Sequence, residues 1–103
     1  MPPIIVRVDA DGSMREIEMH QRELHEYVDG QLTFAGAISS LDAFLLAGAS
    51  DNGTLDIPEV LLPIVDFPCV SPIYIIGSDA EGREQDVRLC DVRFFLSHAR
   101  VRR

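Results

Sequence analysis

The chain has 103 residues, of which 47% are apolar and 25% are charged. This length supports one domain with a core of its own, and the apolar content excludes a disordered chain. The formal net charge is −8, so a phosphate backbone would repel the protein, and nucleic acid is not an expected partner.

The basic residues are all arginine, since the sequence contains nine arginines and no lysine. Without lysine there is no Schiff-base nucleophile, no phosphate-binding loop ending in Gly-Lys-Ser/Thr and no Ser-x-x-Lys nucleophile. A GC-rich coding sequence would explain the arginine bias, and a viral or mobile-element source would fit it too.

The two cysteines, Cys69 and Cys90, form neither a Cys-x-x-Cys pair nor a zinc-type spacing. The start Met-Pro-Pro-Ile lacks the basic and apolar regions of a signal peptide, and the longest apolar stretches are too short to cross a bilayer. We therefore expect a soluble protein of the reducing cytoplasm, with no membrane partner.

Two stretches at opposite ends of the chain, residues 4–19 and 73–89, repeat one pattern. Each has a β-branched run, an Asp-Ala-acid-Gly corner at 9–12 or 79–82, and a return run with apolar residues at every second place. Asp favours the first position of a type I turn, and the glycine three places later can take the left-handed conformation that closes the turn. The sequence predicts two similar β-hairpins.

Helical material is predicted between the hairpins. Residues 20–29 place Leu24, Tyr27 and Val28 on one narrow apolar stripe, which predicts a short helix. Gly30 is its predicted stop.

A second helix is predicted to run from Ser39 to Gly48. Ser39 and Asp42 have capping-box spacing, and the apolar stripe that follows includes Phe44. The preceding run, residues 32–38, fits either a strand or a close-packed crossing.

A third short helix is predicted to begin at Pro58, because proline loses no hydrogen bond there and Glu59 favours the positive end of a helix. Pro63 would end or kink this helix within two turns, and the alternative for the segment is a pair of short extended runs broken by the prolines. Extended chain then leads into the second hairpin, since prolines at this density exclude a central strand through Pro63 or Pro68.

The return run of the second hairpin changes phase. Val87 and Leu89 point inward, whereas Cys90 and Val92 have the opposite phase. We predict a bulge near Leu89 and Cys90, a strand that continues to residues 94–96, and a buried Cys90 thiol.

Together these elements predict a small α+β protein with a single domain over 1–103. Its antiparallel sheet is built from the N- and C-terminal β-hairpins and packs on two or three short helices. Residues 96–103 are predicted to form a loose basic tail. The sheet is expected to be covered on one face only, so that its other face is exposed to solvent.

The solvent-exposed face of the sheet and the basic tail are the candidate partner surfaces. Polar and apolar side chains at every second strand position share a face, and an arginine tail can bind an acidic partner, although a solvated terminus is the alternative. The residues assigned to partner binding are Ile5, Arg7, Glu16, Glu18, His20, Arg100, Arg102 and Arg103.

Part of the chain resembles a known family. The order Val-x-Val-Asp-Ala-Asp-Gly over residues 6–12, a helix after it, and Leu-Asp-Ile-Pro-Glu-Val over residues 55–60 resemble the start of the BTB and elongin-C family, whose members are adaptors that bind other proteins. The second hairpin departs from that family, so membership is not inferred. The opening order of hairpin, helix and further strands also resembles the β-grasp (ubiquitin-like) fold, and without a terminal Gly-Gly no conjugation is implied.

We expect a non-catalytic protein-binding module, a small acidic adaptor, inhibitor or immunity-type protein that acts through a sheet face or a hairpin edge. Its partner would be another protein or a second copy in a homodimer. The alternative is a small enzyme or metal-binding protein in which Glu16, Glu18 and His20 exchange protons or hold an ion. No cofactor motif, metal-ligand set or oriented nucleophile is recognised, so binding is favoured over catalysis.

Overall fold

A computed structural model describes residues 1–28, 32–50, 53 and 55–99, with side chains for all of these except 26–28 and 99. Strands, two α-helices and two 3₁₀ segments alternate along this part of the chain. In order they are β1 (Ile4–Val8), β2 (Met14–Glu18), α1 (Gln21–Val28), β3 (Leu32–Ile38), a 3₁₀ turn (Ser39–Leu41), β4 (Ala43–Ala49), a 3₁₀ helix (Glu59–Ile64), β5 (Cys69–Ser78), β6 (Glu84–Gln85) and α2 (Leu89–Ala99).

The described strands form one antiparallel sheet in the order β2-β1-β5-β4-β3, and β6 pairs with the end of β5. Because β1 pairs directly with β5, the two terminal hairpins belong to the same sheet. The predicted α+β class, the single small domain and the antiparallel sheet built on both hairpins are confirmed.

Both predicted hairpin corners are observed with the same backbone. In each, the amide of the first aspartate donates to the carbonyl four residues later, and the amide of the glycine donates back to the carbonyl of that aspartate, at 2.9–3.0 Å. Gly12 and Gly82 have φ of 90° and 83°, in the left-handed region that a side chain disfavours. Local turn chemistry is therefore sufficient to set both corners.

Both faces of the sheet are covered, which corrects the expectation of a single covered face. The 3₁₀ helix and α2 bury one face with Leu61, Ile64, Val92 and Leu96 over Val6, Val8, Leu45, Ile73 and Ile75. On the other face α1 places Leu24 over Ile5, Leu46, Tyr74 and Ile76. A sheet buried on both sides needs apolar residues at consecutive positions, as the runs in β1, β4 and β5 provide.

The prediction of a helix from Ser39 to Gly48 is wrong. Ser39–Leu41 makes a single 3₁₀ turn, Asp42 takes a left-handed conformation with φ of 51°, and β4 follows. Phe44 and Leu45 point to opposite faces of the sheet and are packed in different clusters. The apolar run was read as a helical stripe, but it is a strand with both faces buried, and residues 32–38 are the strand paired with it.

The prediction of a long return strand in the second hairpin is also wrong. β6 has two residues, and the chain then turns into α2, where Val92 and Leu96 are buried at a spacing of four. The change of phase marks the passage from strand to helix and not a bulge. Cys90, predicted to be buried, is exposed on α2.

The remaining predictions concern α1 and the proline-rich segment. A helix is observed at Gln21–Val28, whereas the side chains of Tyr27 and Val28, and Gly30, lie outside the described residues. The short helix after Pro58 is observed as a 3₁₀ helix that contains Pro63. No strand runs through Pro63 or Pro68, but Pro72 does lie in the central strand β5, where the register with β4 shifts by two residues.

Candidate functional site

One edge of the sheet is formed by β2. The amide of Met19 donates to the carbonyl of Pro3 at 3.0 Å, and the amide of Asp9 donates to the carbonyl of Ser13 at 2.9 Å. In an antiparallel pair the bonded positions alternate, so the polar backbone groups at the intervening positions of β2 point away from β1. These outward positions are Met14, Glu16 and Glu18, and no strand of the described chain pairs with them.

The opposite edge is partly covered. Gly36 of β3 bridges to Val65, and the amide of Asp66 donates to the carbonyl of Ala35 at 2.8 Å. Beside this edge Phe34 stacks on Phe44 and meets Phe67 edge-on, with ring centroids 6.5 and 6.1 Å apart. The segment after the 3₁₀ helix therefore protects half of β3, as natural edge strands commonly require.

A groove runs between the edge strand β2 and the start of α2, and we call it the β2–α2 groove. Its floor is largely apolar, and Phe94 stands beside it with 66% of its surface exposed. Three arginines and one glutamate line it, a formal excess of two positive charges on a chain whose net charge is −8. The lining residues are Met14, Arg15, Glu16, Arg88, Leu89, Cys90, Arg93 and Phe94.

Glu16 joins β2 to α2. Its Oε2 atom accepts a hydrogen bond from the amide of Leu89 at 2.8 Å and another from Nε of Arg88 at 3.1 Å. The Leu89 amide, followed by the Arg88 guanidinium, lowers the pKa of the Glu16 carboxyl from its usual 4.5, and Glu16 in turn raises the pKa of Arg88. A carboxylate at this place satisfies an unpaired amide in the first turn of α2.

This contact makes stability depend on pH. Because the folded pKa of Glu16 lies below 4.5, its contribution is complete above pH 4.5 and is lost as the pH falls through the folded pKa. Glu16→Gln is therefore expected to lower the urea midpoint at pH 7, and by less at pH 3. Urea unfolding of both proteins at the two pH values measures the effect.

Glu18→Gln is the matched control, since Glu18 lies two positions along the same edge and makes neither contact with α2. It should leave the pH dependence of wild type unchanged. Equal responses of the two variants to acid would contradict the role given to Glu16.

A second, more polar groove lies between the two hairpins. His20 Nδ1 is 3.0 Å from Glu84 Oε2, and the amide of Ile4 donates to Asp86 Oδ1 at 2.8 Å. The groove lining is Met1, Pro2, Pro3, Ile4, Glu18, His20, Gly82, Arg83, Glu84 and Asp86. These contacts fasten the second hairpin to the start of the chain.

The residues predicted as a partner surface are separated by the fold. Ile5 is 0% exposed beneath Leu24, so its placement on an open face is wrong. Arg7 donates to Asp9 Oδ1 at 2.8 Å and lies 5.9 Å from the ring centroid of Tyr74. Arg100, Arg102 and Arg103 lie outside the described residues.

The three residues assigned to a possible enzyme or metal site, Glu16, Glu18 and His20, are separated as well. Glu16 turns to α2, whereas Glu18 and His20 line the groove between the hairpins. The backbone amide of His20 also donates to Glu23 Oε1 at 3.1 Å, which caps the start of α1. Among the side chains described, no group of three His, Cys, Asp or Glu could hold a metal ion.

Sequence reasoning missed Arg88, Arg93 and Phe94. They were assigned to a strand or to its approach, and only the helix brings them beside β2. A signal was present, because Leu89, Val92 and Leu96 are apolar residues at the helical spacing of three and four positions.

Comparisons with protein-family models, with curated proteins and with solved structures gave no significant match. The likeness to the BTB and elongin-C family therefore gains no support. Within the described part of the chain, no helix is long and apolar enough to span a membrane. Function must be argued from the geometry of the chain itself.

Proposed function

We propose that this protein is a non-catalytic binding module that recruits an extended segment of another protein to the outer edge of β2. The observation that carries the proposal is the row of outward backbone groups at Met14, Glu16 and Glu18, which no described strand pairs. An unpaired edge is a template for strand addition, in which main-chain hydrogen bonds supply affinity and side-chain pockets supply specificity.

Three features favour this edge over other surfaces. Helices bury both faces of the sheet, so recognition through an open sheet face has no support. On the other edge, Val65 and Asp66 occupy the side of β3 near Gly36. The β2–α2 groove adds a side-chain pocket directly beside the free edge of β2.

The β2 edge can be tested with extended peptides selected from a displayed library against the intact protein. Amide hydrogen exchange should show Met14, Glu16 and Glu18 amides that exchange fast in the free protein and slowly with peptide bound. The Arg15 and Ile17 amides donate to β1 in both states by the alternation of the ladder, so they serve as internal controls. Protection confined to another surface would contradict the proposal.

Glu18→Pro should weaken binding of the selected peptides by about fivefold, since one outward N–H is lost and a hydrogen bond contributes about 1 kcal/mol. Proline is tolerated on an edge strand when the missing N–H faces solvent. Glu18→Ala is the matched control, because it removes the same carboxylate and keeps the amide. Equal affinities of the two variants, each with a wild-type unfolding midpoint, would place the peptide elsewhere.

A further inference from the structure

We infer that the segment bound at β2 is acidic, with carboxylates that meet Arg15 and Arg93 and an apolar side chain that covers Phe94. The inference rests on the proposed function and names the chemistry of the partner. It is drawn from the juxtaposition of a free strand edge, an apolar groove and an excess of arginine in one place.

Arginines give the lining of the β2–α2 groove its positive charge. Arg88 is committed to Glu16, so that pair contributes little net charge to the groove. Arg15 and Arg93 make no ion pair with any acid in the described part of the chain. Arg15 pairs with Arg7 across the ladder and shares the face of Tyr74, whereas Arg93 lies on α2 at the other face. Guanidinium groups on the two sides of the strand edge can each bind a carboxylate of a bound strand in a forked, two-bond geometry.

Exposed apolar surface lies beside these arginines. Phe94 is the most exposed phenylalanine of the described chain and packs against His98, with the ring centroids 4.1 Å apart and the rings tilted by 41°. Cys90 lies one helical turn before it and is also exposed. An apolar side chain of a bound strand would cover this stripe, and burial of apolar area is the main source of affinity at such contacts.

The acidic body of the protein does not cancel the local charge. At physiological ionic strength the screening length is about 8 Å, so a bound segment senses mainly the charges that line the groove. Glu18 lies at the far end of the same β2 edge and lines the polar groove with Glu84 and Asp86, and these acids would repel acidic residues of the segment there. We therefore expect the acidic residues of the bound segment to lie beside Arg15 and Arg93, toward the Met14 end of the edge.

The test uses two labelled ten-residue peptides, one built of Val-Val-Glu-Glu repeats and one of Val-Val-Lys-Lys repeats, so that each face of the extended peptide carries both valine and the charged residue. Fluorescence polarisation with the full chain should give a Kd about tenfold lower for the glutamate peptide, and that preference should shrink as salt is raised. Arg15→Gln and Arg93→Gln should each weaken its binding about threefold, as expected for exposed ion pairs. Arg22→Gln, on α1 and outside the groove lining, should have no effect.

Failure of the inference and of the proposed function can be told apart. If both peptides bind equally and Glu18→Pro weakens both, the edge is used but the acidic preference is overturned. If the glutamate peptide binds and neither arginine variant changes its Kd, the groove is overturned as the site. If neither peptide binds while library-selected neutral peptides do, the acidic partner is overturned and the β2 edge stands. Self-association of the chain that blocks the glutamate peptide would make a second copy the occupant, and would overturn the inference too.

Discussion

Ile5→Ala is expected to lower the free energy of unfolding by about 3 kcal/mol, which is the usual cost of deleting a fully buried aliphatic side chain. Ile5 is 0% exposed and lies between the sheet and Leu24 of α1. The loss combines the removed apolar area with the cavity left under the helix. Equilibrium unfolding in urea at pH 7 gives the value directly.

Leu62→Ala is the control for that measurement, because Leu62 is 44% exposed on the 3₁₀ helix and should cost less than about 1 kcal/mol. Similar values for the two variants would mean that α1 does not bury this face of the sheet. The comparison therefore tests the two-sided core and not only the burial of one residue.

Gly36→Ala is expected to destabilise the protein by about 3 kcal/mol, at the upper end of the range for overpacking. A Cβ at Gly36 would overlap the carbonyl oxygen of Ile64, and backbone cannot swing aside as a flexible side chain can. The clash would push the 3₁₀ helix and Val65 away from β3 and open the edge that they cover. Urea unfolding measures the loss.

Gly48→Ala is the matched control in the neighbouring strand. Its new Cβ would lie 3.1 Å from the Cγ2 atom of Val70, a side chain that can shift by a few tenths of an ångström, and 3.8 Å from the Val70 carbonyl oxygen, which is ordinary contact. We expect a cost under about 1 kcal/mol. If Gly36→Ala were equally mild, the packing of the proline-rich segment against β3 would have to be looser than described.

The candidate site was only partly accessible from sequence. Glu16 and Glu18 were selected for their alternation on β2, and both lie on the free edge. The sequence predicted that they form one polar strip with His20. In the structure Glu16 instead caps the start of α2, and Glu84 of β6 lies against His20. Those contacts join residues more than sixty positions apart, which local periodicity does not encode.

The amino-acid sequence by itself determined only local structure. The corners at 9–12 and 79–82, the helix α1 and the strand alternation of β1 and β2 follow from turn residues and side-chain spacing, because each depends on neighbours a few positions away. The apolar runs of β4 and α2 were ambiguous for the same reason. A strand buried on both faces and a helix with a wide apolar stripe have similar sequences.

Only the tertiary structure decided which faces were buried and which edge was left open. The strand β5 enters between β1 and β4, α1 and α2 close over opposite faces, and β2 is left as the outer strand beside the arginines of α2. Each of these outcomes depends on the total apolar area that distant elements bury against one another, a quantity that no short window of the chain contains.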